Sequence, residues 1–201
     1  MNSTIKELLL EASKKYGNQD AFRYKVKRVD ENGKKITDIE AKSYNDVKVD
    51  SERFSAALEA LGENKKHIAI IGTTSYEWII SYFGIVNSGS VAVPLDALLP
   101  EEELCDLINR ADVTTLIFDK TKTNVANKAK ELCPNVKHFI ALKETNKVEG
   151  AQYIWDLLDK FKDVPSEIID NHNNIEEMRK NEKELKGNKY NEEYDEYIIE
   201  T

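Results

Sequence analysis

Two kinds of hydrophobic spacing alternate along the first 145 residues of the chain. Short, almost entirely apolar runs predict strands that are buried on both faces, and these runs are HIAIIG, SVAVPL and VTTLIF. Between them, hydrophobic residues three and four positions apart predict amphipathic helices, one of them with an inner face of Tyr76, Ile79, Ile80 and Phe83. The alternation favours an α/β fold with a mostly parallel sheet that is flanked by helices.

Local signals at the ends of these segments sharpen the prediction near the amino terminus. The segment Thr4–Glu7 has the form of a capping box at the start of a helix, and Gly17 is a natural end for it. Asn32-Gly33 separates two alternating runs, which predicts a β-hairpin over residues 20–43. This hairpin either makes the sheet mixed or forms a second small sheet, and a helix then begins near Ser43 or Ser51.

The pattern changes towards the carboxyl terminus. A helix around Thr123–Leu132 and the strand VKHFIAL complete the alternation, and YIWDLLDKF predicts one more helix. Asn, Glu, Lys and Asp dominate from Pro165 to Glu193. We therefore predict an α/β region at 1–145 and a helical, polar continuation at 146–201, whose last residues, YDEYIIET, look like the start of a strand.

Composition excludes one class of partner and bounds the cellular compartment. The net charge of −8 argues against a nucleic-acid partner, because phosphate backbones require clustered Lys and Arg. Cys105 and Cys133 both lie in predicted helices and form neither a disulfide framework nor a zinc motif, which fits a reducing cytoplasm. The sequence has no apolar run long enough to cross a membrane, and contact with a membrane surface is left open.

A search for reactive residues is mostly negative. His67, His138 and His172 are far apart in sequence, and each is interpreted as a structural or exposed histidine. Glu101–Glu103 lies where a helix begins, which explains three acidic residues better than a metal site does. No sequence motif of a protease, a lipase or another hydrolase is present, so we assign no catalytic residue and no metal ligand.

One strand-to-helix turn has the chemistry for binding an anion. Gly72 is followed by Thr73–Ser75 at a predicted helix start, where backbone amides attract phosphate. The turn lacks the further glycines of a phosphate-binding loop, so capping of the helix that begins at Tyr76 is the preferred interpretation. A small-ligand site at this turn remains the alternative. Trp78 and Tyr82 lie off the predicted inner face and are candidates for contact with a neighbouring domain.

Several consecutive segments together resemble a known family. SYNDV at Ser43, then RFSAALEALG, and then the run from His67 to Lys120 are similar in order and spacing to the amino-terminal part of the adenylate-forming (AMP-binding) superfamily. Within the superfamily, the likeness is greatest to long-chain fatty-acid–CoA ligases, and it is strongest over residues 40–120. The resemblance implies the amino-terminal α/β subdomain of the acyl-CoA synthetase fold.

The resemblance also implies a reaction and the place of its chemistry. In this superfamily, ATP with Mg activates a carboxylic acid as an acyl-adenylate, and coenzyme A then takes the acyl group. The phosphate loop TSGTTG, the ribose-binding acidic residue and the carboxyl-terminal lysine of the family have no counterpart in this sequence. The final YIIET resembles the strand before that loop, so Thr201 would match its first threonine. We therefore expect an inactive amino-terminal segment that holds no cofactor by itself.

The partners implied for this segment are the remainder of the AMP-binding domain and the carboxyl-terminal domain, with a fatty acid as the substrate of the whole enzyme. Self-association is also expected, because part of a domain exposes apolar surface that its missing part would cover. The alternative is a free-standing α/β regulatory or interaction module derived from the same scaffold, with the acidic tail Ile168–Glu200 as its interaction arm.

Overall fold

A computed structural model of the chain describes residues 4–31 and 33–162. The predictions that fall on residues 163–201, which include the polar helices, His172, the strand start in YDEYIIET and the loop residue Thr201, lie outside these described residues.

The amino-terminal part consists of one helix and one hairpin. Helix α1 (Ile5–Tyr16) begins with the predicted capping box, in which the Thr4 hydroxyl accepts from the Glu7 amide and the Glu7 carboxylate accepts from the Thr4 amide. Strands β1 (Asp20–Val29) and β2 (Lys35–Ser43) pair antiparallel and form a two-stranded sheet of their own. The hairpin prediction is confirmed. Of its two alternatives, a mixed main sheet or a second small sheet, the structure has the second small sheet.

The main sheet has five strands, and every pairing in it is parallel. The strands are β3 (His67–Ile71), β4 (Val91–Leu95), β5 (Val113–Phe118), β6 (His138–Ala141) and β7 (Gln152–Tyr153). Their order across the sheet is β4-β3-β5-β6-β7. The predicted α/β class with a parallel sheet and an amino-terminal hairpin is therefore confirmed.

Helices connect these strands in the predicted alternation. They are α2 (Tyr44–Ala60), α3 (Tyr76–Asn87), α4 (Glu101–Arg110), α5 (Thr123–Leu132) and α6 (Ile154–Lys160), with a short 3₁₀ turn at Lys120–Lys122. Of the two starts considered for α2, the structure selects Ser43, whose hydroxyl accepts from the Asp46 amide while the Asp46 carboxylate accepts from the Ser43 amide.

The side chains of β3 alternate between two hydrophobic cores, one on each face of the sheet. Ile68 and Ile70 join the core formed with α1, α2, α3 and α6, which we call the α2/α3 face. Ala69 and Ile71 join the core formed with α4 and α5, which we call the α4/α5 face. Helices therefore cover both faces, as expected for a parallel sheet whose strands are apolar on both sides.

Two sequence predictions about burial are wrong. Strand β4 was expected to be buried, but it lies at the edge of the described sheet and Val91 is 51% exposed. The inner face of α3 is rotated, because Ile79 and Phe83 are only half-buried whereas Gly84 and Ile85 are buried. The physical reason is close packing of α3 on α2, since a Cβ on Gly84 would lie 2.7 Å from Cδ1 of Phe54.

The predicted boundary at residues 145 and 146 separates elements that pack together in the structure. Strand β7 pairs with β6, and three residues of α6, Ile154, Leu157 and Leu158, are buried in the α2/α3 core. These elements therefore belong with the α/β region. A two-residue strand carries too little pattern to be read from the sequence, which is why β7 was not anticipated.

Candidate functional site

The carboxyl ends of the parallel strands form the edge where ligands bind in folds of this class. Strands β3 and β5 are neighbours and end level with each other, since Ile71 pairs with Phe118. The residues that follow them, Gly72 and Asp119, therefore meet. A Cβ on Gly72 would lie 2.7 Å from the Cβ of Asp119, and Gly72 has a φ of +146°, so only glycine fits here without strain.

Asp119 is the buried anion of this edge. Its carboxylate accepts hydrogen bonds from the Thr73 amide at 2.8 Å, the Thr121 amide at 2.7 Å and the Thr121 hydroxyl at 2.5 Å. Burial by itself would raise the pKa of Asp119, but these hydrogen bonds outweigh it and hold the pKa below the ordinary value of 3.8. Asp119 therefore stays ionised and fixes the turn after β3.

This geometry favours one of the two interpretations of the turn at Thr73–Ser75, which are helix capping and a small-ligand site. The Ser75 hydroxyl accepts from the Trp78 amide at 3.3 Å, so it caps α3 as the preferred interpretation has it. The Thr73 amide, which an external phosphate would need, already donates to Asp119. The chain thus supplies its own anion at this position, and the alternative of a small-ligand site at the turn loses its principal donor.

A second charged cluster lies beside this turn. The buried Glu77 of α3 forms an ion pair with Lys143, which follows β6, and it accepts from the indole nitrogen of Trp155 at 3.4 Å. Burial would raise the pKa of Glu77, but the hydrogen bonds from Lys143, its own backbone amide and Ser75, together with the charge of Lys143, lower it below 4.5. The cluster joins α3, β6 and α6.

The neighbouring side chain, Tyr76, connects this edge to the hairpin. Its hydroxyl donates to the buried carboxylate of Asp50 on α2 at 2.7 Å, and burial followed by this bond raises the pKa of Tyr76. Lys42, at the end of β2, places its amine 3.9 Å from Asp50, 5.1 Å from the centre of the Tyr76 ring and 5.4 Å from that of Trp155. This arrangement combines an ion pair with cation–π contacts.

Two of the histidines and one of the acidic residues singled out in the sequence have structural partners. Nδ1 of His67 lies 2.6 Å from the carbonyl oxygen of Ala111, and Nε2 of His138 lies 3.6 Å from the buried Glu63 carboxylate. Glu101–Glu103 occupies the first turn of α4, as predicted, and Glu102 pairs with Lys128. Within residues 4–31 and 33–162, no group of three or more His, Cys, Asp or Glu side chains is placed to hold a metal ion.

The aromatic and sulfur-containing side chains also have defined places. Trp78 and Tyr82 are half-buried and stack with ring centres 5.8 Å apart at an angle of 6°. Cys105 and Cys133 are buried free thiols, and burial raises the pKa of Cys133 to about 12, so these thiols are packing residues. In the part of the chain that the structure describes, none of the helices is both long and apolar enough to cross a bilayer.

Comparison with known protein families identifies the family of this α/β fold. Residues 10–185 match the family described as AMP-binding enzyme, which covers most of the chain. The chain belongs to the AMP-binding enzyme family. The expectation drawn from the segments around His67–Lys120 is thereby confirmed, and the main sheet with its helices is the family's amino-terminal α/β region.

The individual relatives are named as long-chain-fatty-acid–CoA ligases and as a gramicidin S synthase. The chain is 25% identical over 173 residues to long-chain-fatty-acid–CoA ligase ACSBG1 of Mus musculus, an alignment that covers 83% of the chain and 22% of that protein. It is 31% identical over 106 residues to long-chain-fatty-acid–CoA ligase 5 of Rattus norvegicus, covering 50% of the chain and 16% of the ligase. It is 27% identical over 111 residues to gramicidin S synthase 2 of Brevibacillus brevis, covering 55% of the chain and 2% of that protein.

Solved structures support the same fold at lower identity. The adenylation domain of a carboxylate reductase from Mycobacterium chelonae superimposes with a TM-score of 0.68 at 17% identity, over 82% of the chain and 30% of that domain. A benzoate CoA ligase from Burkholderia xenovorans LB400 gives a TM-score of 0.62 at 16% identity, over 79% of the chain and 28% of the ligase. The chain thus spans less than a third of either structure, and less than a quarter of each relative named above.

Sequence reasoning missed the charged pairs of this AMP-binding region. Neither Asp119 nor Glu77 lies in a recognisable motif, and their distant partners, Thr73 and Lys143, are 46 and 66 residues away in sequence. One signal was available for Asp119, because it directly follows an apolar strand, and the residues after adjacent parallel strands meet at the carboxyl edge. No comparable signal existed for the pairing of Glu77 with Lys143.

Proposed function

We propose that this chain contributes the amino-terminal part of the adenylate-forming domain of a fatty-acid–CoA ligase. The whole enzyme would use ATP with Mg to convert a fatty acid into an acyl-adenylate, and coenzyme A would then accept the acyl group. The observation that carries the proposal is the alignment with the Mus musculus long-chain ligase, which extends over 83% of the chain. The matches are to ligases and adenylation domains, so they do not favour a free-standing interaction module.

The role of the described residues in this proposal is that of a scaffold. At the carboxyl edge, the carboxylates of Asp119 and Glu77 are already bound to internal partners. Such closed pairs stabilise a turn and a helix start, but they leave no free acid, base or amide for a reacting phosphate. We therefore place the reacting groups of the ligase in other parts of the enzyme. The role of Thr201 as the first threonine of a phosphate loop also remains a proposal.

Contacts with the remainder of the enzyme follow from the surfaces that this region leaves uncovered. The half-buried Trp78–Tyr82 pair on α3 is proposed as one contact with a neighbouring domain. Strand β4 is another, because among the described strands it pairs only with β3, and its first residue, Val91, is half exposed. An open strand edge can also pair with a second copy, so self-association of the isolated chain remains part of the proposal.

The test is pyrophosphate exchange with ATP, measured on two proteins. The 201-residue chain alone should show no exchange above background with hexadecanoic acid. A hybrid in which residues 10–185 replace the aligned part of a long-chain ligase should exchange, provided that its thermal unfolding shows a folded protein. Exchange by the chain alone would contradict the scaffold role. A folded hybrid that prefers benzoic acid or an amino acid to hexadecanoic acid would contradict the fatty-acid assignment.

The cellular location proposed for the enzyme is the cytoplasm. A cytoplasmic enzyme, with or without contact at a membrane surface, agrees with two free buried cysteines. Cell fractionation would test it, since recovery of the protein only after detergent extraction would contradict a cytoplasmic location.

A further inference from the structure

A basic pocket lies at the amino edge of the main sheet, opposite the carboxyl edge that carries Gly72 and Asp119. It is formed where β3, β5 and β6 begin, and these three strands are neighbours in the sheet. His67 is the first residue of β3, Thr114 is the second residue of β5, and Lys137 directly precedes β6. Adjacent parallel strands begin at the same edge, so these residues converge although they are distant in sequence.

The lining of this pocket carries an excess of positive charge. Lys65, Lys66 and Lys137 line it, and Asp112 is the one acidic side chain among the lining residues. The pocket therefore has a net charge of +2 with His67 neutral, whereas the whole chain has a net charge of −8. Within the part of the chain that the structure describes, none of the three lysine amines has an ion-pair partner.

The backbone around the pocket is unusual for this chain. Lys65 has a φ of 56° and Asp112 has a φ of 48°, and they are the two non-glycine residues with positive φ in the described ranges. A side chain is less favourable than glycine in this left-handed region. Strain of this kind is concentrated at binding and active sites, and here both strained residues line the same pocket.

His67 is oriented so that one ring nitrogen remains for a ligand. The carbonyl oxygen of Ala111 can only accept a hydrogen bond, so the Nδ1 atom that lies 2.6 Å from it carries the proton. Asn135 adds an amide group to the same lining. The pocket thus combines point charges with neutral polar groups.

We propose that this amino-edge pocket binds a phosphate group. A phosphate monoester carries about −1.5 to −2 charges near neutral pH and has three strong acceptor oxygens, which suits several lysine amines around a small concavity. The group could belong to a free phosphorylated metabolite or to a lipid headgroup, and both offer the same chemistry. The site is distinct from the proposed ligase reaction, because it lies at the opposite edge of the sheet from Gly72 and Asp119.

Stabilisation of helix ends is a competing role for the lysines, and the experiment has to distinguish it from phosphate binding. Helices α4 and α5 end at Arg110 and Leu132, close in sequence to the lining residues Asp112 and Asn135. Helix carboxyl ends carry partial negative charge, and nearby lysines stabilise them. Lysines that serve only the helix ends would affect stability and leave phosphate binding unchanged, so the two roles predict different results.

Amide NMR spectra of the full chain, titrated with sodium phosphate at constant ionic strength, test the proposal. We expect saturable shifts that cluster at Lys65, Lys66, His67 and Lys137, with a dissociation constant of roughly millimolar size for the inorganic ion. The variant Lys137→Gln should weaken binding about 3- to 10-fold, and the pair Lys65→Gln with Lys66→Gln should weaken it further. The matched control is Lys27→Gln, an exposed lysine on the separate hairpin sheet, which should leave the affinity unchanged.

Three results would overturn the proposal. These are shifts spread evenly over lysines throughout the chain, the absence of saturation at 50-fold excess over the expected constant of roughly a millimolar, and unchanged affinity in a folded Lys137→Gln protein. The last result, combined with a lower melting temperature, would assign the lysines to the helix ends instead.

Sedimentation with vesicles then separates the two sources of phosphate. If a lipid headgroup is the ligand, the chain should sediment with phosphatidylcholine vesicles that contain phosphatidic acid and not with phosphatidylcholine alone, and Lys137→Gln should reduce the sedimented fraction at least 3-fold. If the ligand is a free phosphorylated metabolite, the NMR shifts with glycerol phosphate should saturate while vesicles of either composition leave the chain in solution. Failure with phosphate, glycerol phosphate and vesicles alike would refute phosphate recognition at this pocket.

Discussion

The two faces of the main sheet are covered by helices of different character. On the α2/α3 face, the buried residues of the helices include polar side chains, which are Asp50, Ser51, Ser55, Glu77 and Ser81. On the α4/α5 face, the buried residues of α4 are Leu104, Cys105 and Ile108, and those of α5 are apolar except for Thr123 at its start. One sheet thus separates a core with buried charges from a core that is almost entirely apolar.

The difference shows what each face contributes. Apolar burial is non-directional, whereas buried hydrogen-bonded charges fix one arrangement of the elements that bear them. The Tyr76–Asp50 bond and the Glu77–Lys143 pair join α2, α3 and the segment after β6, and Lys42 adds the hairpin. The α2/α3 face therefore holds the hairpin and α6 in position, and the α4/α5 face mainly supplies stability.

The largest effect should come from the apolar core. Phe118, at the end of β5, is fully buried on the α4/α5 face, and Phe118→Ala should lower the free energy of unfolding by about 3–5 kcal/mol. The control is Leu98→Ala, because Leu98 is 92% exposed and its truncation should change stability by less than about 0.5 kcal/mol. Urea unfolding followed by Trp fluorescence measures both. Equal losses in the two variants would show that Phe118 does not pack as described.

A smaller loss of unfolding free energy should follow when a hydrogen bond of the polar network on the α2/α3 face is removed. Asp50→Ala removes the acceptor of the Tyr76 hydroxyl and the partner of Lys42 and Arg53, which should cost about 1–3 kcal/mol. Tyr76→Phe should cost less, because Lys42 and Arg53 still neutralise Asp50. A double-mutant cycle measures the coupling, and additive losses would contradict a direct bond between Tyr76 and Asp50.

Removal of the ion pair of Glu77 should cause a loss of stability that depends on pH. The folded-state pKa of Glu77 lies below its ordinary value of 4.5, so the stabilisation is complete above that value and is lost as the pH falls through the lower, folded-state pKa. Lys143→Met should therefore reduce stability by about 1 kcal/mol at pH 7, because the Lys143 side chain is half exposed and its charge is screened. The wild type and the variant should converge in acid. A difference that grows as the pH falls below 4.5 would refute the pairing.

Local signals in the sequence were sufficient for most of the fold. The capping box at Thr4, the hairpin over residues 20–43 and the helix at Thr123–Leu132 depend on neighbouring residues only, and the structure has each of them where it was predicted. The alternation of β and α elements likewise follows from spacing within each segment. These features are determined by backbone conformation and by the burial of one face, both of which can be inferred from a short window.

Features that depend on distant residues could not be predicted in the same way. The exposure of β4 depends on the order of strands across the sheet, and the one local signal for it was not used: Pro94 has no amide hydrogen to donate to a second neighbouring strand, which is typical of an edge strand. The inner face of α3 is set by the close approach of Phe54 to Gly84, which requires knowledge of how α2 crosses it. The amino-edge pocket collects Lys65 and Lys137 from different loops, so no motif joins them.

Two buried serine hydroxyls on the α2/α3 face differ in whether they form a hydrogen bond. Ser51 on α2 is fully buried, and among the described residues its hydroxyl has no hydrogen-bond partner, whereas the equally buried Ser81 donates to the Glu77 carbonyl at 2.7 Å. Ser51→Ala removes an unsatisfied group and improves helix propensity, so it should stabilise the protein by about 0.5–1 kcal/mol. Ser81→Ala, the matched control, should be neutral or slightly destabilising in the same urea titration. If Ser51→Ala instead lowers stability, its hydroxyl has a partner, and the polar network of this face extends further than the Tyr76 and Glu77 contacts.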